Sequence, residues 1–259
     1  MFKRVAVSLS LACSLAAGAA AQKAVKAWTQ WSKGDVQKML SNSPWAQTQT
    51  ETDTSEMFFT PTTQGQGRTV TPRTSAATGA VAATGVVDST GNNRANEGAL
   101  NQATSVSFHI RWLSAKPIRQ AIAREVALRE GGQLTPALQA FVDSPSDKRA
   151  VIAVTFEATD QRFGGKVMQA FNSAVASTLK NSTYLERKDG QRIFLADYVP
   201  PQQNALGAAM FIFPRTYGEG PLLTRDSGEV RFVSEFSKTL KLETKFKVSE
   251  MIYNGRLEY

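Results

Sequence analysis

The chain has 259 residues, 42% of them hydrophobic and 20% charged, the balance of an ordinary globular protein. It holds one cysteine, Cys13, and one histidine, His109, which excludes an internal disulfide and argues against a tetrahedral zinc site. Basic residues outnumber acidic ones, 30 to 22, so long-range attraction favours anionic partners.

Residues 1–21 read as a signal peptide. Lys3 and Arg4 precede an apolar run from Val5 to Ala17, and the small residues after it predict cleavage following Ala21. Spanning a bilayer takes about 20 apolar residues, and neither this run nor any later stretch reaches that length. A soluble mature chain in the periplasm or outside the cell is expected, with no transmembrane segment. Cys13 raises a lipid anchor as a minor alternative, but Ser10 sits where such signals want a leucine-like residue, and apolar sequence continues past the cysteine. Removing Lys3 and Arg4 leaves 28 basic residues against 22 acidic. Export makes nucleic acid a poor partner for that excess.

Residues 22–60 open the mature chain with a short helix. Ser32 and Asp35 match a capping box, Val36, Met39 and Leu40 share one face, and Pro44 predicts a stop near Ser43. Trp28, Trp31 and Trp45 flank this helix. They suit an aromatic clamp that holds the helix to the body; they also suit a carbohydrate-stacking platform or a partner-docking patch. Thr48 to Thr60 reads as a strand.

Between Pro61 and Ala103 there is no aromatic residue and little charge, and Gly, Thr, Ala, Asn and Gln abound. Such a segment buries too little apolar area to offset the entropy of ordering it, and a disordered loop is expected over 61–103.

Residues 104–259 read as an α+β domain that packs with 22–60 as one unit. Val106, Phe108, Ile110 and Trp112 alternate with Ser107, His109 and Arg111, a strand with one apolar face. A helix from Lys116 follows, with Ser114 as its candidate N-cap, and Gly131-Gly132 ends it. Thr135-Pro136 opens a second helix that stops before Pro145. RAVIAVTF at 149–156 is apolar on both faces and predicts an interior strand. Asp160 caps a third helix running to about Leu179, carrying Val167, Phe171, Ala174 and Thr178. The closing third is β-rich. Leu240, Leu242, Phe246 and Val248 alternate with Lys241, Glu243, Lys245 and Lys247, and Asp189-Gly190 and Asn254-Gly255 predict two-residue hairpin turns. Three to four helices and an antiparallel sheet make α+β the expected class.

The blocks W-S-K-G-D-V-Q-K-M-L-S-N-S-P-W-A at 31–46, V-S-F-H-I-R-W-L-S-A-K-P-I-R-Q-A at 106–121 and F-K-V-S-E-M-I-Y-N-G-R-L-E-Y at 246–259 form a set. Together they resemble a family of exported bacterial proteins, mainly from soil bacteria with two membranes, that carries no assigned function. The resemblance implies export and supplies no catalytic residue.

Chemistry is thinly marked. There is no G-x-S-x-G elbow to pair with His109, no phosphate cradle and no dinucleotide fingerprint, so no cofactor and no metal are expected. Glu157, Asp160, Asp197, Glu235 and Glu250 are the carboxylates from which a hydrolytic pair could be drawn. The expected function is a non-catalytic binding or scaffold role in the envelope, toward an envelope protein or an anionic or glycan polymer. Trp28, Trp31, Trp45, Lys241, Lys245 and Lys247 are the candidate contact residues, because tryptophans and basic strand faces suit contact with a partner or polymer, Trp and Arg being enriched where binding energy concentrates. An exported hydrolase using a carboxylate pair is the alternative.

Overall fold

The computed structural model describes residues 26–53, 104–144 and 148–259. The expected signal peptide, the expected loop at 61–103 and the last part of the expected 48–60 strand lie outside them. The fold is α+β, with antiparallel sheets and five α-helices among the described residues.

Helix α1 (Lys33–Ser41) begins at the expected capping box. The Ser32 hydroxyl accepts the Asp35 N–H at 3.2 Å, and the Asp35 carboxylate accepts the Ser32 N–H at 2.8 Å. Strand β1 (Ala46–Asp53) then pairs antiparallel with β2 (Thr104–Trp112), Asp53 opposite Thr104. Helix α2 (Lys116–Arg129) and helix α3 (Pro136–Asp143) follow, the latter capped by Thr135 with proline at its first turn. Strand β3 (Arg149–Ala158) lies in the middle of the first sheet, as its two apolar faces demand.

The rest comprises α4 (Gln161–Ser173), α5 (Ala176–Leu179), β4 (Thr183–Arg187), β5 (Arg192–Phe194), β6 (Asp197–Val199), β7 (Ala209–Pro214), β8 (Thr216–Tyr217), β9 (Gly220–Pro221), β10 (Glu229–Glu235), β11 (Lys241–Lys247), β12 (Ile252–Tyr253) and β13 (Arg256–Leu257). The first sheet runs β1-β2-β3-β7-β6 and the second β11-β10-β4-β5, with β8-β9 and β12-β13 as two-stranded ribbons. The closing third therefore does not form one sheet. Strand β7 is apolar on both faces, AMFIFP, so it lies beside β3 where both faces are covered, rather than in the second sheet with its solvated outer face.

The core lies between the sheets. Phe211 on β7 meets Phe232 on β10 at 5.2 Å between ring centroids, and Trp112 on β2 meets Phe246 on β11 at 5.7 Å. Such pairs add about 0.5–1.5 kcal/mol each beyond the area they bury. Thr183 and Ser234, fully buried on the inner face of the second sheet, satisfy one another at 2.8 Å. Helix α4 packs at the same core through Phe171, whose ring touches Phe108, Phe156 and Phe236. On the opposite face of the first sheet, Leu113, Ala153 and Ala208 form a small second cluster under Ile122 of α2 and Phe141 of α3.

Three local expectations are corrected. The cap of α2 is Ala115, not Ser114, whose hydroxyl instead accepts the Val151 N–H at 3.0 Å. The first N–H of that helix, on Lys116, is held by the carboxylate of Glu258, 142 positions away. The third expected helix breaks at Ala174. In an unbroken helix the Phe171 carbonyl would accept the Val175 N–H; here it accepts the Tyr198 hydroxyl at 2.7 Å, and Val175 turns to the Thr178 hydroxyl. Finally, the Asp189-Gly190 connection is a three-residue loop, 188–190. Gly190 donates to the Arg187 carbonyl and Arg187 to that of Gln191, and only Gly190 has positive φ, 80°. Asn254-Gly255 is the two-residue turn, with both φ positive at 48° and 76°.

Candidate functional site

The three tryptophans lie at the N-terminal edge of the body. Trp28 is half-buried in a short turn, Trp28–Gln30, and packs against the core. Trp31 is buried, and its indole N–H donates to the Lys26 carbonyl. Trp45 is buried as well; its N–H donates to the Glu258 carbonyl at 2.7 Å and its ring stands edge-on to Tyr253 at 6.1 Å. The indoles of Trp31 and Trp45 are thus occupied in holding α1 and the closing residues to the body.

The three lysines project from the solvated face of β11. Lys241 pairs with Glu243 at 3.1 Å and Glu235 at 3.3 Å, and Lys247 with Glu250 at 3.4 Å. Lys245 forms no ion pair among the described residues. The ladder continues across the face from Glu243 to Arg231, Glu186 and Arg192, with contacts of 2.7–2.8 Å. Hydrogen bonds from Arg192 and then Arg231 hold the Glu186 carboxyl below its usual range.

The carboxylates sort by local role. Asp160 caps α4 by accepting the Arg162 N–H at 2.7 Å, Asp197 accepts the Tyr198 N–H, and Glu235 and Glu250 pair with lysines. Glu157 differs. It stands exposed on β3 with its Oε1 3.8 Å from Nε2 of His109.

That contact marks a groove of 350 Å3 on the outer face of the first sheet, floored by β2 and β3 and walled by α2 and the segment 205–208. Strand alternation builds its floor. His109 on β2 lies directly opposite Thr155 on β3 and Thr48 on β1, while Arg111 lies opposite Ala153, and Glu157 opposite Ser107. The Thr48 hydroxyl is 3.0 Å from the Ser41 carbonyl, which can only accept, and 3.1 Å from His109 Nδ1. The hydroxyl proton goes to Ser41, so His109 donates from Nδ1 and leaves the Nε2 lone pair open to the groove, near the Glu157 carboxylate but not bonded to it. Burial above all, and then the charge of Arg111, pushes the His109 pKa down against a smaller opposing pull from Glu157. The imidazole is neutral at pH 7.

Arg111 is the groove's fixed charge. Its Nε donates to the Leu40 carbonyl at 2.6 Å and its Nη1 to the Thr155 hydroxyl at 3.1 Å. Burial pushes its pKa down, and Glu125 and Glu157 oppose that from a distance without closing an ion pair with it; Glu125 pairs instead with Arg129 on its own helix at 2.9 Å. A larger depression of 530 Å3 borders α4, where Phe163, Val167, Ala170 and Leu240 present hydrocarbon among Glu51, Lys166, Thr52, Ser237 and Thr239. The smaller groove is the one in which a buried histidine and a half-buried arginine share the floor.

Sequence reasoning places His109 on a strand but does not single out Arg111, Thr155, Glu125 or Arg129. The available signal was a histidine and an arginine two positions apart on one strand face. Alternation alone does not say that a helix half-covers that face. No family model, no curated protein and no solved structure matches this chain.

Proposed function

We propose that the chain is an exported, non-catalytic binding protein whose contact site is the groove between β2, β3 and α2. The observation that carries this reading is Arg111, a half-buried guanidinium beside a neutral histidine with no carboxylate closed onto it. Even partial burial disfavours an unpaired charge, and an anionic group of a ligand would pair with it. The N-terminal signal and the resemblance to exported bacterial proteins support the address, and among the described residues no helix is long and apolar enough to cross a membrane. With Trp31 and Trp45 buried and Lys241 and Lys247 paired, Lys245 and the half-buried Trp28 are the remaining open contacts for a polymer or envelope protein.

Of the carboxylates from which a hydrolytic pair could be drawn, only Glu157 borders the groove, so the hydrolase alternative would need an activated nucleophile instead. Thr48, His109 and Glu157 superficially line up for it, but the Thr48 proton is directed at a carbonyl rather than at the imidazole. Native mass spectrometry of protein recovered from envelope extract tests the binding reading. Wild type and the Lys241→Glu/Lys245→Glu/Lys247→Glu variant should carry a bound molecule bearing an anionic group that a folded Arg111→Gln variant lacks. Turnover of an ester, peptide or glycan substrate that Glu157→Gln abolishes would replace it with the enzyme reading.

A further inference from the structure

The groove has more than a positive charge. Arg111 leans toward β3 residue Thr155, and Glu157 leans toward β2 residue His109, so the guanidinium and the carboxylate reach from opposite ends toward the same His109–Thr155 pair. They stop short of an ion pair with each other. The space between them therefore meets a cationic donor at one end and, at the other, two acceptors, the Glu157 carboxylate and the His109 Nε2 lone pair. A ligand with a carboxylate and an ammonium a few ångströms apart complements both. An anion alone would leave Glu157 facing it, and a cation alone would meet Arg111.

Besides Glu125 and Arg129, which pair with each other on α2, the remaining lining is mostly hydrocarbon: Ile122 and Val126 from α2, with Leu206 and Ala208 from the facing segment. Its volume of 350 Å3 is at the lower end of small-molecule pockets, which run from about 300 to about 1,000 Å3. That suits a single amino-acid-sized molecule with an aliphatic side chain and does not suit a polymer. We infer that this groove binds a free aliphatic 2-amino acid, its carboxylate on Arg111 and the Thr155 hydroxyl, its ammonium on Glu157 and His109 Nε2, and its side chain against Ile122, Val126 and Leu206. This rests on the binding reading above and names the ligand class for it.

Three isosteric probes separate the terms in titration calorimetry: L-leucine, 4-methylpentanoate, which lacks the ammonium, and isoamylamine, which lacks the carboxylate. Leucine should bind at least about tenfold more tightly than either, the discrimination expected from one charge-assisted hydrogen bond. Glu157→Gln is the decisive variant, because the residue is exposed and its loss leaves the fold alone; it should weaken leucine about tenfold and leave 4-methylpentanoate no weaker. Arg111→Gln, verified as folded by circular dichroism, should weaken both carboxylates and not the amine. Equal affinity for leucine and 4-methylpentanoate would overturn the zwitterion while leaving an anion-binding groove. Equal affinity for isoamylamine, or no heat with any probe at millimolar concentration, would overturn the inference as well. In those cases the molecule retained in native mass spectrometry still decides the broader binding reading separately.

Discussion

The side chain of Gln49 on β1 closes the open edge of β11 at Glu243. Its Oε1 accepts the Glu243 N–H at 2.7 Å, and its Nε2 donates to the neighbouring Lys241 carbonyl at 2.9 Å. One amide side chain thus does for an edge strand what a further strand would do, tying the edge of the first sheet to the edge of the second. Exposed edges are templates for unwanted pairing, and alternating lysines on the same strand oppose it further. Gln49→Ala removes these two cross-sheet hydrogen bonds, along with an exposed one to Glu51 on its own strand; at about 0.5–1.5 kcal/mol net for each cross-sheet bond, the variant should lose about 1–3 kcal/mol in urea unfolding. An unchanged urea midpoint would mean that water replaces the amide without loss.

The chain's only histidine makes its acid response readable. His109 has a folded pKa below its ordinary 6.5, set by burial and by Arg111 and partly offset by Glu157. The unfolded chain therefore takes up the proton first as pH falls. The stability contributed by the neutral ring is complete above pH 6.5 and declines as pH drops from there toward the lower folded value. Carboxylates such as Asp143 and Glu186 enter only below their ordinary 3.8 and 4.5. His109→Gln should flatten the stability profile between pH 6.5 and the carboxylate range. A wild-type profile already flat there would show that the ring is not held neutral.

The β12–β13 hairpin depends on backbone conformation rather than on space. Ile252 lies opposite Leu257 and Tyr253 opposite Arg256, around Asn254 and Gly255. A Cβ added at Gly255 would meet nothing within 4 Å, yet its φ is 76°. Gly255→Val should cost about 1–3 kcal/mol of pure conformational strain, while Gly255→Asn, which tolerates that region, should cost much less. Thermal melts of the pair check this; equal losses would point to a packing cause instead.

Glu258 caps a helix to which it is not adjacent in sequence. Its Oε2 accepts the Lys116 N–H at 3.2 Å at the positive end of α2, where Ala115 has no side-chain oxygen to offer. Glu258→Ala should destabilise by about 0.5–2 kcal/mol, and Glu258→Gln, which keeps an acceptor, should recover most of it. Chemical denaturation of the two variants separates the cap from the loss of side-chain bulk.

The features legible in the residues themselves are those whose causes lie within a few positions. The Ser32–Asp35 capping box, the Thr135-Pro136 start, the apolar face of Val106, Phe108, Ile110 and Trp112, and the Asn254-Gly255 turn all rest on neighbours along the chain, and each stands where its pattern places it. Where a distant group competes, the local pattern misleads. Ser114 looks like a cap until Val151 claims its hydroxyl, and the helix after Asp160 looks continuous until Tyr198 takes the Phe171 carbonyl. The groove belongs wholly to this second kind. Alternation says only that His109 and Arg111 share a strand face; it is β1 that brings Thr48 to one side, β3 that brings Thr155 and Glu157 to the other, and α2 that half-covers the face. Burial and charge are properties of what covers a face, and the covering elements come from parts of the chain that meet only in the folded state.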